Sequence, residues 1–482
     1  MDDLVFCTAT ELAKIIREKT ASASEVFEAH LSHIAKHNPN LNAIVTLNEE
    51  AVRKRAKEAD KALTRGEVWG PLHGVPVTIK DVFETAGLRT TSSFKPLANH
   101  VPQQDATVVA RLRAAGAVVL GKTNMPALAL DLQSNSPLFG PANNPYDVSR
   151  TTGGSTGGGA AAIAAGLSPL ETGSDIGGSL RIPASYCGVF SFKPTEHRVS
   201  GAGHIPPTPG APNGVRHMGT FGPVGRSVED LRLALTLIAG PDERDWEVPP
   251  IPLTPVSRRP LHEYRFAWSK GFPGVLVSQE TQAAIERVVR TLADAGCKVE
   301  QADPPGFDFE IARETWGTIL GSEVGAGLPP IARFLTALQF RMMADKSKGK
   351  GSFVRGLSAN MPRYVQALTQ RDVLIASLEK FLAYWDAWLC PVTSGPAFTH
   401  RKTGQPIEVD GQKEHYFMAT TGHTCVFNLA GNPVAALPIG RTKEGLPIGM
   451  QVVGRRWQDM EVLTVAEALT QVTGAFQRPP GF

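Results

Sequence analysis

An α/β layered fold is what this sequence predicts, on three observations. Between residues 66 and 240, short apolar runs that read as buried strands alternate with segments of helical period. After a Pro-rich connection, VPPIPLTPVSRRP at 248–260, the alternation restarts as though the same sheet continued. The composition, 42% hydrophobic and 20% charged with 47 Gly and 37 Pro, describes an ample core with many turns and no sign of disorder.

Taken in order, the first 65 residues read as an outer helical layer. Thr8 with Glu11 and Ser22 with Glu25 fit capping boxes, and Phe27, Leu31 and Ile34 recur at helical spacing. VPVTIKD (75–81) reads as a buried strand, DATVVARLRAAGA (105–117) as a helix and VVLGKTN (118–124) as a second strand. GGGAAAIAAGL (157–167) reads as a small-residue helix lying close on a sheet, and SVEDLRLALTLIAG (227–240) as an amphipathic one. Beyond the Pro-rich stretch, YRFAWSK (264–270) precedes the helical SQETQAAIERVVRTLADAG (278–296). Residues 300–420 are the least regular part and include DKSKGKGSF (345–353), expected to be a mobile loop. Strand-like alternation returns in TCVFNLAG, PVAALPIG and PIGMQVVG, followed by a last helix near DMEVLTVAEALTQV. No internal repeat is visible.

Charge and cysteine usage narrow the function. A net charge of +3 without a dense Lys/Arg run argues against nucleic acid as a main partner. The acidic start, MDDLVF, is not a secretory signal, and no apolar stretch reaches membrane-spanning length, so a cytoplasmic protein without membrane attachment is expected. Cys7, Cys187, Cys297, Cys390 and Cys425 are widely spaced buried thiols by this reading, and no Cys/His cluster suggests zinc.

Some motif matches fail on context. GAVVLGKT (116–123) has the spelling of a P-loop, but a helix precedes it and a strand runs through it, the reverse of what a phosphate cradle needs. GGSTG (153–157) has the spelling of a nucleophile elbow, yet the preceding NNPYDVSRTT is polar and turn-like. Ser347-x-x-Lys350 and Lys402-Thr403-Gly404 have the spelling of penicillin-binding-protein motifs, but no Ser-Asp-Asn element accompanies them and the match is coincidental. What survives is Lys80 at the end of an apolar strand, where burial would favour the neutral amine, together with Ser155 and Ser179 in two glycine clusters. The competing readings are a surface lysine and, for Ser179, a helix cap beside a glycine turn.

Those residues carry a resemblance. GGSTGGGAAA, GSDIGGSLRIPA and CGVFSFKPT, with HGVPVTIKD, GKTN, NNPYDVSRT and FGPVGRSVEDL around them, resemble the amidase signature family. Weaker agreement returns in NLAGNPVAALPIG and GLPIGMQVVG, so the likeness covers half or more of the chain. It implies an α/β/α sandwich around a large mixed sheet, one amidase domain over 1–482 with its signature core at 66–240 and the rest of the sheet at 261–482, and no metal or cofactor. It implies Ser179 as nucleophile, Ser155 on a cis peptide as proton bridge and Lys80 as base. The backbone N–H groups of Ile176, Gly177, Gly178 and Ser179 are then the oxyanion hole, with Thr156, Asp175 and Arg181 in support. Thr152, Thr156, Gly159 and MPALAL (125–130) depart from the usual pattern near the pocket.

The expected reaction is amide hydrolysis through a serine acyl-enzyme, on a small aryl or alkyl amide; the alternative is the glutaminase subunit of a tRNA-dependent amidation complex. The expected partners are a small-molecule amide and at most a second copy in a homodimer. Met125, Phe139, Thr152, Gly153, Trp316 and Phe417 are the candidate pocket residues, with Phe340 and Met342 as further apolar walls. Residues near 125–139, GHIPPTPGAPNGVRHMG (203–219) and the variable 300–425 region should supply the walls.

Overall fold

The structure, a computed structural model, describes residues 2–343 and 351–482. Eleven strands form one sheet: β1 (Ile44–Leu47), β2 (Pro76–Lys80), β3 (Val118–Thr123), β4 (Leu170–Asp175), β5 (Phe190–Lys193), β6 (Thr220–Gly225), β7 (Arg265–Trp268), β8 (Lys298–Gln301), β9 (Ala387–Pro391), β10 (Val434–Arg441) and β11 (Pro447–Val453). Their order across the sheet is β1-β3-β2-β4-β6-β5-β10-β11-β9-β7-β8. Pairing is parallel for β2 with β3 and with β4 and for β7 with β8 and with β9, and antiparallel elsewhere, so the sheet is mixed as expected.

The central strands have no solvated face. Every residue of β2, β4, β9 and β11 is buried, which is why PVTIK and PIGMQVV read as apolar runs instead of alternating ones. Helices cover the sheet, and both expected capping boxes are formed, at Thr8/Glu11 and Ser22/Glu25. The helix Gly157–Ala164 is buried at every residue, because glycine and alanine let its backbone approach the strands closely. A Cβ on Gly158 would stand 2.7 Å from the Ala43 carbonyl oxygen.

Four expectations need correction. IVTL at 44–47, inside the supposed helical layer, is an edge strand paired with β3. DVSRT, read as turn-like, is the strand Asp147–Thr151 of a short hairpin outside the main sheet. Residues 300–420 are largely helical, in Phe309–Ala326, Pro330–Met343, Ser352–Leu357 and Met361–Leu382. TCVFNLAG contains the helix Cys425–Ala430, closed by Gly431 in the left-handed conformation. The expected loop DKSKGKGSF and the Ser347-x-x-Lys350 match fall mostly outside the described residues, as does the side chain of Met342. No helix among the described residues is long and apolar enough to cross a membrane.

Candidate active site

Lys80 is the last residue of β2, and the neighbouring strand β4 brings the glycine-serine loop beside it. Its side chain has no solvent exposure, and Nζ lies 2.7 Å from Ser155 Oγ and 3.1 Å from Ser174 Oγ. Burial pushes the amine down to about 7, against the opposing pull of Asp175 and Glu171. Ser155 follows the short hairpin and opens the buried helix, and its peptide bond to Gly154 is cis.

Ser179 sits between β4 and the helix Arg181–Cys187. Thr156 N donates to the Ser179 carbonyl at 3.1 Å, which ties the two serine loops together. Ser155 and Ser179 border the same cavity, of about 850 Å³. Among the described residues Ser179 Oγ makes no hydrogen bond, so the two serine hydroxyls are not bonded to each other, while Ser155 Oγ is held by Lys80.

Asp175 organises the turn that carries Ser179. It accepts from Gly178 N at 2.8 Å, from Leu180 N at 3.0 Å and from both Nε and Nη2 of Arg181 at 3.0 and 2.9 Å. Both side chains of this ion pair are fully buried, so it is an internal brace and not a surface pair. Burial raises the Asp175 carboxyl, but the charge and hydrogen bonds of Arg181 outweigh it and hold the group well below the ordinary carboxylate range. Arg181 reaches on to Gln451 Oε1 at 2.7 Å and Asn428 Oδ1 at 2.6 Å.

The carbonyls of the turn are fixed outward. Trp316 Nε1 donates to Ile176 O at 2.9 Å and Thr424 Oγ1 to Gly177 O at 2.6 Å. Of the four expected oxyanion donors, Gly178 N–H is spent on Asp175; those of Ile176, Gly177 and Ser179 have no partner among the described residues. Gly178 itself has φ +126, and a Cβ there would run into Thr424 Oγ1, so this position requires glycine.

The candidate pocket residues divide. Trp316, Phe340 and Phe417 line the cavity, as do Leu128 to Leu132 and much of 203–219, including His204, Pro206 and His217. Met125 is instead fully buried in the main core. Phe139 turns away, its ring under the Arg89 guanidinium and its carbonyl accepting from Asn42. Thr152 and Gly153 are buried behind the serines, where Gly153 packs on Tyr186 and Pro183. Their closeness to Ser155 in sequence does not put them on its open side. Thr156 donates to Ser174 O at 3.3 Å and supports the floor from below.

Sequence reasoning missed Ser174, Thr424, Asn428 and Gln451. Ser174 was legible in principle, since β2 and β4 pair in parallel and its side chain emerges beside the end of β2. The others come from distant segments and carry no local signal. Lys122 of the P-loop-like match is a buried strand residue bonded to Phe83 O and Thr85 Oγ1. Nearby Glu171 is pushed up to about 7 by burial, with one oxygen on Thr123 Oγ1 at 2.7 Å and the other unpartnered.

The Amidase family profile matches residues 25–463. A glutamyl-tRNA(Gln) amidotransferase subunit of Geobacillus thermodenitrificans is 32% identical over 98% of both chains. Among solved structures, the corresponding glutamyl-tRNA(Gln) amidotransferase subunit of Thermotoga maritima aligns with a TM-score of 0.80 at 26% identity, over 99% of this chain and 98% of that one. A fatty acid amide hydrolase aligns with a TM-score of 0.83 at 25% identity, over 98% and 86%. These names overturn the partner expectation: a net charge of +3 with no basic tract excludes neither nucleic acid nor partner proteins, because an assembly can carry its RNA contacts on another chain. The picture of a lone chain or homodimer with only a small molecule to bind is withdrawn with it. From the end-to-end sequence match, the shared fold and the lysine and serines it gathers, the chain belongs to the amidase family, whose enzymes break amide C–N bonds.

Proposed function

We propose that the chain cleaves a carboxylic acid amide through a serine acyl-enzyme formed on Ser179. The observation that carries this is Lys80, a fully buried amine pushed down to about 7 and held 2.7 Å from Ser155 Oγ. A neutral amine at that position accepts the Ser155 proton as Ser155 takes the proton of Ser179, and Ser179 Oγ attacks the amide carbon. The developing oxyanion is met by the N–H groups of Ile176, Gly177 and Ser179. The proton returns through Ser155 to the leaving nitrogen, the C–N bond breaks, and water deprotonated by the same relay releases the acid.

For the substrate, the names of the end-to-end relatives support the glutaminase-subunit reading, with nitrogen delivered within a tRNA-dependent assembly. The cavity supports a second reading, a hydrolase of small aryl or alkyl amides, because Leu132, Val199, Trp316, Leu320, Phe340 and Phe417 give it apolar walls. We read 1–482 as one catalytic domain, supported by strands from both sides of 248–260 in one sheet, and its setting as cytoplasmic, supported by five cysteines without a disulfide.

The test is release of ammonia or arylamine from glutamine, primary amides and anilides by the purified chain, beside Ser179→Ala. Release that disappears in the variant supports the relay; equal release from both sinks it. Release that depends on co-purified partner proteins favours the subunit reading, and release by the isolated chain favours the second.

A further inference from the structure

Glu171 is a fully buried carboxyl group that the relay of Lys80, Ser155 and Ser179 does not use. It stands on β4 opposite Thr78 of β2, two residues before Lys80, and strand alternation puts Glu171, Thr78 and Lys80 on one face of the sheet. Thr123 of β3, the register partner of Lys80, is on that face as well, and its hydroxyl donates to Glu171 Oε1 at 2.7 Å. The helix Gly157–Ala164 covers the face, and a Cβ on Gly159 would stand 2.6 Å from Glu171 Cδ. The side chain that Gly159 lacks is therefore the room in which the carboxyl group sits, beneath the helix that Ser155 opens.

Glu171 Oε2 makes no hydrogen bond among the described residues, and a buried carboxylate left so is costly unless an opposite charge compensates it. Burial works against its charge, while the Thr78 and Thr123 hydroxyls and then Lys122 and Lys80 favour it. The charges around it are mostly committed elsewhere. Lys122 is in register with Ile79 and so turns to the other face, where it bonds Phe83 O and Thr85 Oγ1 and feels Asp81 before Glu171. Asp175 pulls on Lys80 more strongly than Glu171 does, but it is already bound by Arg181 at 2.9 Å. His204, which also feels Lys80, is pushed down to about 4 by burial and stays neutral. The helix Gly157–Ala164, β1 and β6 bring no titratable side chain. Lys80 itself donates only to serine oxygens among the described residues, Ser155 Oγ and the Oγ and carbonyl of Ser174. Lys80 and Glu171 are thus the amine and the carboxyl group of this face that no bonded ion partner claims.

We propose that Glu171 is the counter-charge for Lys80 when the amine takes up a proton, a positioning residue that acts through Lys80 and borders neither the cavity nor the reacting atoms. The inference rests on the relay reading above and adds a member to it. During attack the Ser179 proton passes to Ser155 and the Ser155 proton to Lys80 Nζ, while the new O–C bond pushes the carbonyl π pair onto oxygen. An ammonium then exists in the interior, and Glu171 faces it with a full negative charge. Return of the proton to the leaving nitrogen ends that charge, and Glu171 stays ionised throughout.

The experiment follows the Lys80 amine by NMR in protein carrying carbon-13 at lysine Cε, the signal being the one lost in Lys80→Ala, and sets its titration beside the pH–rate profile. Glu171→Gln keeps the shape and the Thr123 bond, and moves the Lys80 midpoint about one pH unit lower. The acidic limb of kcat/KM moves with it, and the plateau falls roughly tenfold. Glu171→Asp, which retains the charge, stays nearer wild type in both readings. Glu171→Ala decides the matter by its midpoint if the Gln variant does not fold. A Lys80 midpoint that neither neutral substitution moves overturns the assignment. So does a lower plateau with midpoint and limb in place, which is what a merely structural glutamate would give. A Lys80→Ala protein as active as wild type sinks the relay reading, while the NMR midpoint still decides Glu171.

Discussion

The floor and the walls of the cavity are built on opposite principles. The floor, from Thr151 through Ser200, is buried almost without a break, and hydrogen bonds tie its loops together and to Lys80: Lys80 to Ser155, Thr156 to Ser179, Asp175 to Arg181. The walls are partly exposed aromatic and aliphatic side chains from helices in 300–425, and the helix Pro330–Met343 turns Ile331, Phe334, Leu335 and Leu338 outward. The difference teaches where tolerance lies. The floor is held by a connected hydrogen-bond network whose parts cannot shift one at a time, whereas apolar walls of matching volume can be exchanged.

The comparison breaks most sharply at Ser179, the proposed nucleophile. Ser179→Ala removes the attacking oxygen without disturbing the Asp175 brace, and kcat falls by at least about 10⁴-fold in an ammonia-release assay with the melting temperature nearly constant. Asp175→Asn strikes the brace instead. It leaves Arg181 buried beside a neutral partner and lowers stability by about 3–5 kcal/mol in denaturant titration. A wall residue that cost as much would end the distinction.

Smaller effects sharpen it. As the proposed base, Lys80 must be neutral to accept a proton, so kcat/KM falls about tenfold per pH unit below about 7 and levels off above it. Glu171 pulls the Lys80 amine upward, so Glu171→Gln moves that acidic limb to lower pH, which a pH–rate profile detects. Phe417→Ala, on the wall, changes KM by less than about tenfold, leaves the position of that limb in place and alters the ranking of acyl groups.

Much of the floor was legible in the sequence, because its chemistry needs particular residues at particular places. Two glycine clusters, a lysine ending an apolar strand and the capping boxes of the first helices all have local causes. The walls were not. Met361–Leu382 buries Ala367, Leu374, Leu378 and Phe381 but also Arg371, which bonds Glu196, so its apolar stripe is interrupted. TCVFNLAG is buried on all sides, and periodicity cannot separate such a helix from a strand. Phe139 was misjudged because sequence says how near a side chain is to Ser155 along the chain, not toward which side Asn42 and Arg89 draw it.

The helix Gly157–Ala164 joins the two serine loops and exposes none of its residues. Its amides can meet solvent only if the sheet comes apart, so in native-state hydrogen exchange they should trade protons at the pace of global unfolding. The two serines then age together: heat, denaturant or a distant destabilising change removes activity in one step with the fold, while the outer helices are free to breathe on a faster clock.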